Sequence, residues 1–453
     1  MKKRKKLLRL VFGRTTFVVL FLLIQVGILL MGFAWLEEYM LYFYGASVIL
    51  SAVTLIYIIS ADESTSIKLS WVVPILVFPV FGTLFYLFVR LQIGTKLIGH
   101  RLKMTSAETA PYLKQDTETA ERFNEMSSSQ GNLVRYMNRF AGCPVYQNTA
   151  AQYFPLGDDM FVEMKRRLKA AKHFIFMEYF IVERGEMWNS ILEILEEKVR
   201  EGVEVRVMYD GMCCLMLLPY SYPKTLREKG IKCKMFSPIR PALSTHQNNR
   251  DHRKICVIDG HTAFTGGVNL ADEYINRKVR FGHWKDTAVM VEGDAAVGFT
   301  MMFLQMWGVT EQEKERYESY LKPADYRLPK DADASGFVIP YGDSPLDKEN
   351  VGEQVYLDIL GHAKKYVHIM TPYLILDDQM MNALQYSAKR GVETIIIMPH
   401  IPDKMSAYLL ARSYYEELLT AGVRIFEYTP GFVHAKIFAS DDVKAVVGTI
   451  NLD

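Results

Sequence analysis

The chain opens on three apolar stretches and then changes rhythm. Residues 15–36, "TTFVVLFLLIQVGILLMGFAWL", carry no charge, and a second apolar run covers Tyr39 to Ile59 after Glu37–Glu38. A third, "LSWVVPILVFPVFGTLFYLFV", covers Leu69 to Val89 and is broken by Pro74, Pro79 and Gly82. About 20 apolar residues cross a hydrocarbon core as a helix. Residues 1–103 therefore read as a membrane region with two to three transmembrane helices. Its length and flanks exceed those of a cleavable signal peptide, and no small-residue cleavage site follows.

Past this region the pattern alternates between strand and helix. Residues 104–135 read as a polar linker with some helix. "KHFIFMEYFIV", from Lys172 to Val182, has the pattern of a buried strand. The amphipathic "MWNSILEILEEKVRE" follows and Gly202 stops it; then comes the strand "VEVRVMYDG". The order returns with strand "KYVHIMTPYLI", helix "DQMMNALQYSAKR", a cap at Gly391 and strand "VETIIIMP". Strands alternating with single helices predict an α/β fold of two pseudo-symmetric halves, each a mixed or parallel sheet flanked by helices. The halves are placed at 136–310 and 341–453, with residues 311–340 as linker.

Charge adds topology. "MKKRKKLLRLVFGR" holds seven Lys or Arg and no acid, and Arg90, Lys96, Arg101 and Lys103 follow the third apolar run. Basic flanks stay cytoplasmic, so two spans plus a re-entrant third segment would keep both flanks inside and face the body to the cytoplasm. The N-terminal cluster also suits anionic lipid headgroups. A net charge of only +2 disfavours nucleic acid as a partner. The five cysteines lack zinc-ligand spacing and read as free thiols.

The chemistry lies in a duplicated pattern. "HRKICVIDGHTAFTGGVN" and "HAKIFASDDVKAVVGTIN" share His-x-Lys-xxxx-Asp-xxxxxx-Gly-x-x-Asn: His252, Lys254, Asp259 and Asn269, then His434, Lys436, Asp441 and Asn451. Each copy follows an equivalent α/β unit. On a strand, residues two apart share a face, so each His and Lys are expected to project together. Two imidazoles, two ammoniums and two carboxamides would converge if the halves pack about a pseudo-twofold axis. Such a clamp suits a phosphodiester. One histidine can attack phosphorus and the other can shuttle the leaving-group proton. With the lysines in place no metal or other cofactor is expected. Asp259 and Asp441 complete the motifs, although their place beyond the strand suits fixing a turn.

These paired motifs resemble the phospholipase D superfamily. "MEYFIV", "NNRDHRK", "GGVNLADEY", "HWKDT", "TPYLI" and "GFVHAKIF", with the apolar region ahead of them, resemble the bacterial cardiolipin synthases. The resemblance implies phosphatidyl transfer between two phosphatidylglycerol molecules, with His252 as nucleophile and His434 as acid and base. It places Glu178 and Tyr179 facing the pocket, with Glu178 a candidate lipid-glycerol contact. It makes Asp286 a candidate acceptor for a catalytic histidine. Family members usually continue past "GTINLD" and bring a further acid, so weak or no turnover is expected of the chain as it stands. A hydrolase using water, a nuclease and an inactive membrane scaffold with a relic site are the rival readings.

Overall fold

The computed structural model describes residues 20, 23–28, 30, 37–61, 65–90, 93–126, 131–236, 251–311, 315–344 and 349–453. The basic N-terminal cluster and most of the first apolar run lie outside them. The chain divides into two compact units, one within residues 1–97 and the other built from residues 98–238 and 249–453.

In the first unit, helix α1 (Glu37–Ser60) contains the stretch Leu41–Ser60, the one helix among the described residues long and apolar enough to cross a membrane. The third apolar run forms two short helices, α2 (Thr65–Val77) and α3 (Pro79–Arg90). Pro74 lacks a backbone N–H and weakens the end of α2, while Pro79 suits the first turn of α3. Gly82 is what lets the two fold back. A Cβ there would lie 2.6 Å from the Pro74 carbonyl oxygen and 2.7 Å from the Ile75 Cα. The Ser51 and Thr83 hydroxyls, 3.0 Å apart, tie α1 to α3.

The second unit holds both repeats. The first half contributes β1 (Thr149–Phe154), β2 (Phe174–Tyr179), β3 (Glu204–Asp210), β4 (Lys232–Phe236), β5 (Lys254–Ile258), β6 (Thr262–Gly266), β7 (His283–Lys285) and β8 (Ala288–Gly293). Seven of them form one sheet in the order β1-β8-β6-β5-β2-β3-β4. Strands β2, β3 and β4 run parallel and the rest pair antiparallel, which makes the sheet mixed. Helix α4 (Glu186–Arg200) connects β2 to β3 and buries Trp188, Ile191 and Leu195 on one face, against Ile175, Met177, Tyr179 and Val207. Helix α5 (Ala296–Gly308) covers the other face, where Phe176 stacks on Phe303 at 4.7 Å.

The second half repeats the plan with β9 (Tyr366–Met370), β10 (Glu393–Pro399), β11 (Arg424–Tyr428), β12 (Gly431–Val433), β13 (Ile437–Ser440) and β14 (Lys444–Val447). Its five-stranded sheet runs β11-β10-β9-β13-β14, again with three parallel strands followed by antiparallel ones. Helix α6 (Asp378–Lys389) connects β9 to β10, and its first turn is capped by the Asp377 carboxylate, which accepts from Met380 N at 2.9 Å. Between β10 and β11 lies α7 (Met405–Ser413). The small parallel pair β12–β7 joins the halves, with Phe432 opposite Trp284.

Candidate active site

The two His-x-Lys elements stand where the halves meet. Each histidine sits just ahead of its strand rather than inside it, since β5 starts at Lys254 and β13 at Ile437. The shared-face expectation is replaced by a tighter arrangement. The Lys254 ammonium turns back to donate to the His252 carbonyl at 2.6 Å, and Lys436 donates to the His434 carbonyl in the same way. Both lysines are almost fully buried. Burial pushes the Lys254 ammonium well below its ordinary pKa, with the Lys436 charge adding to the effect. Burial brings Lys436 down to about 8, against the pull of Asp286. Two ammoniums forced together without a full complement of anions make a strong anion receptor.

The halves exchange partners at the histidines. His434, from the second half, donates through Nδ1 to Asp286 of the first half at 2.7 Å. Burial, then the Lys436 charge, lowers the His434 pKa to about 4, while Asp286 opposes them. Burial disfavours the Asp286 carboxylate, yet the His434 and Lys436 charges hold it below its ordinary value. At neutral pH the pair is thus a carboxylate and a neutral imidazole whose Nε2 carries a lone pair. Tyr274, Trp284 and Phe432 surround the ring, with centroids at 5.4, 5.6 and 6.0 Å. His252, from the first half, meets the Thr449 carbonyl of the second half through Nδ1 at 3.1 Å. A carbonyl only accepts, so that nitrogen holds the proton and Nε2 is again the free base. Burial and then the Lys254 charge keep His252 neutral as well. Phe180 packs edge-on against the ring at 4.7 Å.

Gly267 makes the Asp286 contact possible. A Cβ there would fall 1.9 Å from Asp286 Oδ1 and 2.9 Å from the His434 carbonyl oxygen. The equivalent place in the second motif holds Thr449, the residue whose carbonyl meets His252.

The two motif aspartates complete the His-x-Lys pattern in sequence, but they bind backbone at the far ends of their strands and not the histidines. Asp259 lies beyond the far end of β5 and accepts from the backbone N–H groups of Lys172, His173 and Phe174 at 2.8, 2.7 and 2.9 Å. Asp441 repeats this with Lys364, Lys365 and Tyr366 at 2.7, 2.8 and 2.9 Å. Both adopt a left-handed conformation, φ 52° and 56°, at the first position of the three-residue turns of the β5–β6 and β13–β14 hairpins. Aspartate tolerates that region and its carboxylate can clamp a neighbouring strand end. This explains its fixed place in the pattern.

The asparagines diverge too. Asn269 is buried, accepts from Ile181 N at 3.0 Å and donates to the Tyr274 hydroxyl at 2.8 Å. It holds the scaffold that carries Tyr274. Asn451 faces a cavity of about 550 Å³ that His252, Arg253 and Lys254 also line. Its buried Oδ1 meets no hydrogen-bond partner.

Glu178 and Tyr179 point to opposite sheet faces, as neighbours on a strand must, so only one could face a shared pocket. Tyr179 joins the core under α4. Glu178 is fully buried behind the first motif, and neither of its oxygens meets a hydrogen-bond donor while it and Asp251 are ionised. Burial and then the Asp251 charge raise its pKa well above normal. Arg253 Nη1 stands 3.9 Å from Glu178, and its charge opposes that rise. Asp251 went unnoticed in the sequence, though its place beside His252 was a signal. Thr449 acts through its backbone and left none. Among the described residues no group of three or more His, Cys, Asp or Glu converges.

The family model described as "Cardiolipin synthase, PLD-like domain" matches residues 164–307 and 356–453, and the one described as "Phospholipase_D-nuclease N-terminal" matches residues 49–90. An uncharacterized protein of Streptococcus mutans is 52% identical over 88% of this chain and 86% of its own. A cardiolipin synthase of Halalkalibacterium halodurans is 32% identical over 90% of this chain and 82% of its own. The crystal structure of a phosphatidylserine synthase of Haemophilus influenzae aligns with 69% of this chain and 81% of its own, at 15% identity and a TM-score of 0.47.

Proposed function

The chain belongs to the cardiolipin synthase family and is a phospholipid phosphatidyltransferase, and we propose that it joins two phosphatidylglycerol molecules into cardiolipin and glycerol. His252 Nε2 attacks the phosphorus of the first lipid and the bond to its glycerol headgroup breaks. The departing alkoxide takes a proton from His434. The free glycerol hydroxyl of the second lipid then gives a proton back to His434 and attacks the phosphohistidine, which breaks the P–N bond.

Surroundings support this division of roles. The acid must become an imidazolium, and Asp286 is placed to stabilise one at His434. The negative charge of an incoming phosphodiester would raise the His434 pKa toward the working range. Lys254, Lys436 and Asn451 are the groups for the phosphoryl oxygens. Asn269, Glu178, Asp259 and Asp441 support the site from behind. The observation that carries the reading is the exchange of partners, His434 with Asp286 and His252 with Thr449, which makes one site of two motifs.

A multi-pass anchor, with α2 and α3 as a re-entrant pair and the body facing the cytoplasm, belongs to the same proposal. It would hold the site beside a dense supply of acceptor lipid, which favours an alcohol over water. Incubation with phosphatidylglycerol vesicles tests the reaction. Cardiolipin with equimolar glycerol supports it, and phosphatidic acid would make the protein a hydrolase.

A further inference from the structure

Helix α7 is poorly buried for an element of a packed α/β half: of its nine residues only Ala411 is buried. Met405 and Leu409, one turn apart, are each 61% exposed, and Leu410 is exposed beside them. The loop Arg277–Arg280 offers a second apolar point, since Val279 is 83% exposed. The chain just after the loop meets the chain just before α7. A Cβ on Gly282 would lie 3.2 Å from Ile401 Cδ1, and Ile401 N donates to Gly431 O at 3.3 Å.

Both segments lead from the rim of the site. The Arg277–Arg280 loop is bracketed by Tyr274 and Trp284, whose rings both touch His434. Helix α7 follows Asp403, whose charge is felt by Lys436 and which accepts from the Tyr373 hydroxyl at 2.7 Å, and Lys404, which stands 4.7 Å over the Tyr373 ring.

Their charge has one sign. "RKVR" and "KMSAYLLAR" hold five bases and no acid. Arg277, Lys278 and Arg280 pair with Asp158, Glu183 and Glu273, but each cation stays about half exposed, and the pairs of Arg277 and Lys278, whose acids are also open to solvent, cost little to re-form with another anion. Large apolar side chains interleaved with cations beside tyrosines match an anionic bilayer surface, where the apolar groups enter the acyl boundary and the cations meet phosphates.

We propose that Val279, Met405 and Leu409, with Arg277, Lys278, Arg280 and Lys404, form a docking surface for anionic bilayer lipid that holds the mouth of the site against the membrane. The choice of lipid rests on the reading above; the surface itself rests on exposure, charge and placement.

The test uses the full chain in nanodiscs of phosphatidylglycerol and phosphatidylethanolamine. Photoreactive benzoylphenylalanine is placed in turn at Val279, Met405, Leu409 and, as control, Val443, an exposed residue at the other end of β13 from His434. The expected result is phospholipid adducts at the first three sites and not at Val443, with yields that fall when phosphatidylcholine replaces phosphatidylglycerol. Adducts to a second copy of the chain, or no lipid adducts, would overturn the proposal. In a second readout, the double variant Met405→Glu, Leu409→Glu should lose about tenfold in kcat/KM on vesicles, through KM, and keep its turnover of monomeric short-chain phosphatidylglycerol. Equal loss on both substrates would also overturn it. Should the unaltered chain process neither substrate, the adducts alone decide the surface.

Discussion

His252 and His434 occupy equivalent places in two copies of one motif, yet their surroundings differ. His434 has a carboxylate partner, three aromatic neighbours and a close-fitting glycine at Gly267. His252 has a backbone carbonyl, one aromatic neighbour and a cavity wall, and the place that matches Gly267 is held by Thr449, which supplies that carbonyl. A repeat fixes where a side chain stands, and the partner half decides what it does there. In the proposed mechanism the ring with the carboxylate carries the proton, and the ring without one stays neutral and attacks.

Breaking that difference should have unequal effects. The largest loss is expected from His252→Ala, about 10⁴-fold or more in kcat on any substrate. His434→Ala should be nearly as damaging with phosphatidylglycerol but should keep a product burst with phosphatidyl p-nitrophenol, whose leaving group needs no acid. Stopped-flow absorbance separates the two. Asp286→Asn should cost about 10²- to 10³-fold in kcat with little change in KM, because the imidazolium loses its counter-charge. Gly267→Ala should show part of the same loss, since the new methyl displaces Asp286. Gly448→Ala should show none of it, since a Cβ there has nothing within 4 Å.

The motif aspartates sharpen the comparison through stability. Asp259 is buried and Asp441 is partly open. Asp259→Ala should destabilise the folded chain by about 2–3 kcal/mol and Asp441→Ala by about 1 kcal/mol, read as lowered unfolding midpoints, because deserted backbone N–H groups cost more when water cannot reach them. Turnover per folded molecule should stay unchanged in both. The smallest effect is with pH. Lys436 loses its proton as pH rises through about 8, and a neutral amine no longer attracts phosphate. KM for phosphatidylglycerol should therefore rise above that pH, and Lys436→Arg should move the rise upward.

Much of this was legible in the chain. Strand, helix and strand recur in both halves with the anticipated stops, because buried strands and amphipathic helices have distinct periods. The duplicated His and Lys spacing marked the candidate site, and "HWKDT" pointed to Asp286 beside His434. What stayed hidden depends on contacts between distant residues. Nothing local shows that Asn269 is occupied by Ile181 and Tyr274, or that three-residue β7 and β12 pair across the halves. The asymmetry of the histidines was invisible because the two motifs have identical spacing. The third apolar run was ambiguous for the opposite reason: its composition suits one long helix, and only the break before Pro79, with Gly82 packed on Pro74 and Ile75, makes it two short ones.

Mapping of the covalent adduct tests the division of labour most directly. The full chain, mixed with phosphatidylglycerol and quenched within a turnover under conditions that preserve phosphoramidates, is digested and sequenced by mass spectrometry. The account predicts a phosphatidyl group on His252, still present in His434→Asn and absent in His252→Asn. A phosphatidyl group on His434 would contradict it.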